Sequence, residues 1–256
     1  MTRRRFYAPP AAFAPDGAAV VLSAEESRHL RDVLRLRAGD EAFVFDGEGR
    51  EFACVVAEAG GRRGGEARLG VRAPVEPQRP ESPLELTLAV GLLKGEKFDL
   101  VVQKATELGV SRVVPVVTKR ADVRLRDERD AAARAERWRR LALEAAKQSG
   151  RARVPAVETP AGFDAFISTE PRPRELRLLF SERGGAGLAA AAEAIPSPPA
   201  GARALVGPEG GWDEAELEAA RARGWLLVTL GGRTLRAETA AVAVAALLQH
   251  RFGDLT

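Results

Sequence analysis

The sequence predicts an α/β protein of two domains, a small N-terminal β-barrel and a C-terminal, mostly parallel sheet with helices on both faces. Three observations predict it. Up to residue 75, short β-like runs alternate with turns. From residue 84, strands are separated by helix-length segments, the rhythm of a parallel sheet covered by its crossovers. Between the two, Pro74, Pro77, Pro80 and Pro83 punctuate polar residues, which suits a linker better than regular structure. The expected division is 1–75, a linker over 76–83, and 84–256.

A chain of 256 residues, 45% of them hydrophobic, has the means to bury a real core. No apolar run approaches the roughly 20 residues of a membrane span, and the arginine-rich start lacks a signal-peptide core. A cytoplasmic protein with no membrane partner is expected. Cys54 is the single cysteine, so an internal disulfide is excluded, and with only His29 and His250 beside it no metal site is expected. The net charge is +3 and the isoelectric point about 9.4, carried mainly by arginine. Coding bias enriches arginine and alanine, but clustered arginines also suit an anionic partner such as nucleic acid.

In chain order, Val20-Val21-Leu22 reads as a strand, and Ser23-Ala24-Glu25-Glu26 as a capping box in which Ser23 and Glu26 satisfy each other's backbone donors. Leu30, Val33 and Leu34 then form the apolar stripe of a helix that turns Arg28, Arg31 and Arg35 elsewhere. Residues 41–45 and 51–56 are paired strands joined at Asp46-Gly47, a strong hairpin signal. A glycine-flanked basic loop carrying Arg62 and Arg63 precedes a strand at 67–71. In the second domain, strands are expected at 84–90, 113–117, 176–180, 204–206 and 226–228. Helices are expected at 96–108, 127–148 and 188–195, with another from Asp213, which can cap it, to Gly224, which can end it. A last helix, 240–248, is apolar nearly all round and must be buried on several sides.

Two loops stand out. Val206-Gly207-Pro208-Glu209-Gly210-Gly211-Trp212-Asp213 joins a strand to a helix, and its glycines let a ligand lie against the main chain. It lacks the lysine and hydroxyl of a P-loop and does not fit G-x-G-x-x-G. Taken alone it is an ordinary tight turn. The second, Leu230-Gly231-Gly232-Arg233-Thr234-Leu235-Arg236-Ala237-Glu238-Thr239, also leads from a strand into a helix. Two such loops at strand ends point to a ligand crevice.

Together GPEGGW and LGGRTLRAETA resemble the paired signature of the trefoil-knotted SPOUT methyltransferases, specifically the bacterial 16S ribosomal RNA uracil-N3-methyltransferase family. Arg28-His29-Leu30, Lys94-Gly95, Lys104 to Gly109, and Gln148-Ser149 with Arg151 agree with it in order. The family commonly has threonine at Ala237 and often isoleucine at Thr234. The resemblance implies a PUA-like N-terminal barrel for RNA, a deep trefoil knot in the C-terminal domain, a homodimer sharing the 240–248 helix, and S-adenosylmethionine as methyl donor. It implies three donor-binding loops: Ser181 and Glu182; Val206, Gly207, Pro208, Glu209, Gly210 and Gly211; and Leu230, Gly231, Arg233 and Leu235.

Methylation at uracil N3 calls for loss of a proton and a cation for the charge that spreads to the flanking carbonyls. Arg236 is the candidate cation, and Glu209 or Glu238 the candidate base or orienting group. Glu238 equally suits a helix start in the field of the macrodipole. Arg3, Arg4, Arg5, Arg28, Arg31, Arg35, Arg62 and Arg63 concentrate in the first domain as candidate contacts to phosphates of 16S ribosomal RNA or the small subunit. The resemblance adds Lys94 and Arg151.

Overall fold

The computed structural model describes residues 3–61, 65–193 and 199–255. Arg62 and Arg63 lie outside the described residues. The chain forms two compact units: residues up to Glu81 together with Ala146–Val154, and Ser82–Ala145 together with the residues from Pro155 onward. The first unit therefore takes in a segment that the linear sequence places within the expected second domain, 84–256.

In the first unit, β1 (Arg5–Tyr7), β2 (Ala19–Val21), β3 (Glu41–Phe45), β4 (Glu51–Glu58) and β5 (Arg68–Val75) form one curled sheet in the order β1-β3-β4-β5-β2. β1 is parallel to β3, and the other pairs are antiparallel. Phe6, Val20, Leu22, Leu30, Val44 and Leu69 make its core. The helix α1 (Ala24–Arg28) runs into one π turn, His29–Val33. Only half of the expected capping box forms. The Glu26 N–H donates to Ser23 Oγ at 3.3 Å, but the Glu26 carboxylate is drawn away to the Lys147 ammonium at 2.7 Å and the Tyr7 N–H at 3.4 Å. A full charge outcompetes a neutral backbone donor. The Asp46-Gly47 connection is longer than a two-residue turn, because the Asp46 carboxylate gathers the N–H groups of Glu48 and Arg50 and the Arg50 guanidinium.

The second unit carries β6 (Glu85–Gly91), α2 (Lys97–Glu107), β7 (Arg112–Val117), α3 (Glu128–Ser149, whose last turn from Ala146 belongs to the first unit), β8 (Ala156–Val157), β9 (Ala161–Gly162) and α4 (Phe163–Ile167). There follow β10 (Glu175–Phe180), β11 (Ala186–Gly187), α5 (Leu188–Glu193), β12 (Gly201–Val206), α6 (Glu214–Ala222), β13 (Leu226–Thr229) and α7 (Ala237–Phe252). The sheet runs β11-β13-β10-β12-β6-β7-β8, with β9 also on β7, and every pair is parallel. Leu179, Leu205, Ala89 and Val116 point to one face, where Trp212, Trp225 and Phe163 pack on them. By the two-residue alternation of strands, their neighbours Leu178, Ala204 and Leu88 point to the other face. There α7 lies on β6 and β12 and against α2. Helices therefore cover both faces, as the sequence predicts.

The apolar character of α7 is largely explained within the chain. Ala241, Val244, Ala245 and Leu248 are buried, and Leu247 is left exposed.

Candidate active site

Consecutive strands need not be neighbours, and here β10 lies between β12 and β13. In a parallel sheet all three end on the same edge, so the loops after β10, β12 and β13 emerge side by side. β6 and β12 meet at the centre, with β7 following β6 outward on one side and β10 and β13 lying on the other. A change of winding direction of this kind opens a crevice at the carboxyl ends of the strands.

That crevice is a cavity of about 710 Å³. Ser181 and Glu182 line it from the first loop, Val206 to Glu209 and Gly211 from the second, and Leu230, Gly231, Arg233 and Leu235 from the third. Of the residues expected to cradle the donor, only Gly210 is not on the wall. Its α-carbon is turned toward the backbone of Arg120, whose carbonyl oxygen would lie 2.6 Å from an added Cβ.

Each loop is held by local chemistry. Ser181 Oγ donates to the Arg183 carbonyl at 2.9 Å and accepts the Arg183 N–H at 3.1 Å, which closes the first turn. In the second loop, the Gly211 N–H donates to the Pro208 carbonyl at 3.0 Å, and Gly211 takes φ +68°, a conformation costly for other residues. Trp212 Nε1–H donates to the Phe180 carbonyl at 2.8 Å and so ties the second loop to the end of β10. Asp213 and Glu216 then complete a full capping box on α6: Asp213 Oδ1 accepts the Ala215 N–H, and Glu216 Oε2 accepts the Asp213 N–H.

Arg236 is the N-cap residue of α7 and lines the cavity; among the described residues its guanidinium has no ion-pair partner. Glu209 also lines it, bound to Lys97 Nζ at 2.9 Å. Burial pushes the Glu209 carboxyl up, but the Lys97 ammonium and the backbone N–H groups of Glu209 and Lys94 outweigh it and hold the group below its ordinary range. Lys97 carries no motif of its own in the sequence, and only the fold brings it here. Thr229, Gly232 and Thr234 extend the third wall.

Glu238 requires a correction, because it is not on the wall. Ala237 and Ala240, about one turn apart on α7, face the cavity. A helix advances about 100° per residue, so Glu238 is turned aside. Its Oε2 is buried without a hydrogen-bond partner among the described residues.

The candidate RNA contacts divide. Arg4, Arg28 and Arg35 are exposed, Arg35 in a left-handed conformation with φ 55°. Arg31 is paired with Asp32, Lys94 with Asp122, and Arg3 with Glu51 and the Glu76 carbonyl. Arg5 and Arg151 are corrections to the expected phosphate-gripping set. Both side chains are only 5% exposed, Arg5 on Glu51 and Arg151 on Glu81. Each neutralises a carboxylate inside the first unit, and withdrawing it would strand that charge. Among the described residues there is no cluster of metal-ligating side chains, and no helix is long and apolar enough to cross a membrane.

Residues 80–249 match the family described as RNA methyltransferase domain, and residues 22–69 the family described as RNA methyltransferase PUA domain. A parallel-sheet domain with a glycine-walled cavity at its strand ends, accompanied by a PUA domain, defines the class of PUA-bearing RNA methyltransferases. Within that class the chain belongs to the ribosomal RNA small subunit methyltransferase E family. It is 34% identical over 223 residues to the protein of that name from Synechocystis, covering 87% of this chain and 70% of the relative. With the Bacillus subtilis protein of the same name it shares 31% over 233 residues, 90% of this chain and 89% of the relative. The crystal structure of a ribosomal RNA small subunit methyltransferase E from Neisseria gonorrhoeae bound to S-adenosyl methionine is similar with a TM-score of 0.84 and 33% identity, covering 100% of both chains. A Legionella pneumophila methyltransferase in complex with the same cofactor gives 0.85 and 29%, again covering 100% of both.

Proposed function

We propose that this chain methylates N3 of a uracil in 16S ribosomal RNA with S-adenosylmethionine as donor, working in the cytoplasm as a trefoil-knotted SPOUT homodimer. In this reading residues 1–75 grip RNA, 76–83 connect, and 84–256 carry out the transfer. The observation that carries the proposal is the cavity itself: three strand-end loops surround it, and on its wall stands the Arg236 guanidinium, without an ion-pair partner among the described residues. Relatives of the same family name, and a similar structure that holds the donor, support it.

The wall fits such a donor. Its volume of about 710 Å³ lies within the usual range for small-molecule sites of roughly 300–1,000 Å³. Glycines bring backbone N–H and C=O groups to its surface, and Phe180, Val206 and Leu230 supply apolar area. When bound, S-adenosylmethionine supplies a methyl group on a sulfonium that leaves as a neutral thioether. The protein's own task is to place the acceptor nitrogen in line and to favour its anionic form. Arg236 stabilises the negative charge that spreads to the uracil carbonyl oxygens as the N3 proton leaves to solvent, and the new N3–carbon bond replaces the N3–hydrogen bond. Glu209, ion-paired and of lowered basicity, orders the second loop through Lys97 instead of taking that proton. The dimer uses the face of α7 that its own core leaves open, around Leu247.

Arg236→Ala tests the assignment. Donor affinity by calorimetry should change less than about threefold, while single-turnover methylation falls by about 100-fold or more. Near-normal methylation would refute the role. Mass mapping of ribosomal RNA nucleosides from a deletion strain identifies the atom, since loss of N3-methyluridine is expected and loss of a ribose methyl group would contradict it. Light scattering tests the dimer.

A further inference from the structure

A second cavity, of about 330 Å³, shares a wall with the first: Ser181, Glu182, Gly184 and Trp212 line both. Its remaining lining includes three arginines from three different elements. Arg120 comes from the β7–α3 loop, Arg183 from the loop after β10, and Arg221 from α6. None of the three belongs to a sequence motif or to the wall of the larger cavity.

Their ion pairs are unusually loose. Arg120 lies 3.6 Å from Asp213, Arg183 3.5 Å from Glu182, and Arg221 3.7 Å from Glu214. A well-made guanidinium–carboxylate contact is about 2.7–2.9 Å long. These carboxylates relieve repulsion among the arginines without saturating their donors. The guanidiniums are also accessible, with side-chain exposures of 47%, 86% and 50%. Planar forks of this kind match the geometry of phosphate oxygens.

The cavity is also mechanically joined to the donor cradle. The backbone of Arg120 abuts Gly210, the neighbouring Lys119 N–H donates to Glu216 Oε1 at 2.9 Å, and Lys119 Nζ pairs with Asp213 at 3.0 Å. The backbone that carries the Arg120 side chain is therefore fixed relative to the GPEGG loop.

We infer that this arginine-lined cavity is a backbone-phosphate subsite, which takes a phosphodiester of the RNA strand beside the nucleotide whose base enters the larger cavity. The inference rests on the proposed RNA-methylating function. Strand phosphates replace the loose carboxylate partners with close, bidentate contacts, and the shared wall sets the distance from phosphate to reacting base. The N-terminal unit then supplies general grip, and this subsite supplies local register.

The test uses the full-length protein and small ribosomal subunits from a strain lacking the modification. In Arg120→Gln/Arg183→Gln/Arg221→Gln, donor affinity should stay within about twofold of wild type. KM for the subunits should rise about tenfold or more, and the salt dependence of subunit binding should fall by about 0.7 in log–log slope for each phosphate no longer neutralised. Arg→Lys replacements at the same positions should restore the slope but only part of KM, because lysine keeps the charge and gives up the fork. If the triple variant loses its fold by circular dichroism, Arg183→Gln/Arg221→Gln, which spares the Arg120–Asp213 contact, carries the same prediction. Unchanged KM and slope in a folded variant overturn the subsite. A raised KM with an unchanged slope also overturns it, pointing to a ribosomal protein as the contact. Failure of the wild-type protein to bind donor or methylate subunits refutes the functional reading instead.

Discussion

Lys97 Nζ and Glu209 Oε1 meet at 2.9 Å on the wall of the larger cavity, one from the first turn of α2 and the other from the Gly-Pro-Glu turn after β12. The pair joins two loop ends that lie more than a hundred positions apart in sequence.

Its pH dependence follows from the lowered Glu209 carboxyl. A depressed folded-state value means stabilisation that is fully present above the ordinary glutamate value of about 4.3 and is lost as pH falls through the folded value. Thermal unfolding of wild type and Glu209→Gln should differ by a constant margin from neutral pH down to about 5. The margin should shrink only in more acidic solution, and a margin already closing between pH 7 and 6 would contradict the assignment.

Gly91 ends β6 directly behind Pro208, where an added Cβ would lie 2.6 Å from the proline nitrogen. Gly91→Ala must displace Pro208 and with it the second loop. Overpacking of this kind costs about 1–3 kcal/mol, and donor affinity should drop by at least about tenfold. Calorimetry beside chemical denaturation would show both effects, and an alanine variant binding donor like wild type would mean that the loop has slack.

Trp212 packs on Phe163 with ring centroids 5.6 Å apart, within the buried cluster under the sheet, and donates to the Phe180 carbonyl. Trp212→Ala should cost about 3–5 kcal/mol of unfolding free energy. Trp212→Phe should cost less, keeping most of the packing while losing a hydrogen bond worth about 1 kcal/mol. Equal losses for the two would put the whole effect on the hydrogen bond.

Among the described residues Glu238 has a buried oxygen without a partner and does not line the cavity. Glu238→Gln should therefore leave the single-turnover rate within about threefold of wild type and its pH profile unshifted. A loss of two orders of magnitude would instead identify Glu238 as a proton acceptor in the assembled enzyme.

Much of this was legible because it is local. The box at Asp213 and Glu216, the strand–loop–helix rhythm, and the glycine loops after β12 and β13 depend on residues a few positions apart. What could not be read is pairing at a distance. Nothing near Phe180 announces that β10 slides between β12 and β13, so the loop at Ser181 gained its place from the resemblance alone. Ser23 and Glu26 have the spacing of a capping box, yet Lys147 claims the carboxylate from 121 positions away. Arg5 and Arg151 look like surface cations until Glu51 and Glu81 are found beside them. Lys97, Arg120 and Arg221 belong to no motif, and only the folded chain gives them neighbours.

The place of β13 carries a consequence for synthesis. β13 pairs with β10, which carries β12 on its other side, so the third wall of the cavity is held in the sheet through β10. That wall follows β13 in the chain, so every residue through Arg236 must leave the ribosome before the three walls can stand together. A nascent chain arrested ahead of β13 would leave that flank of β10 unpaired and the cavity without its third wall.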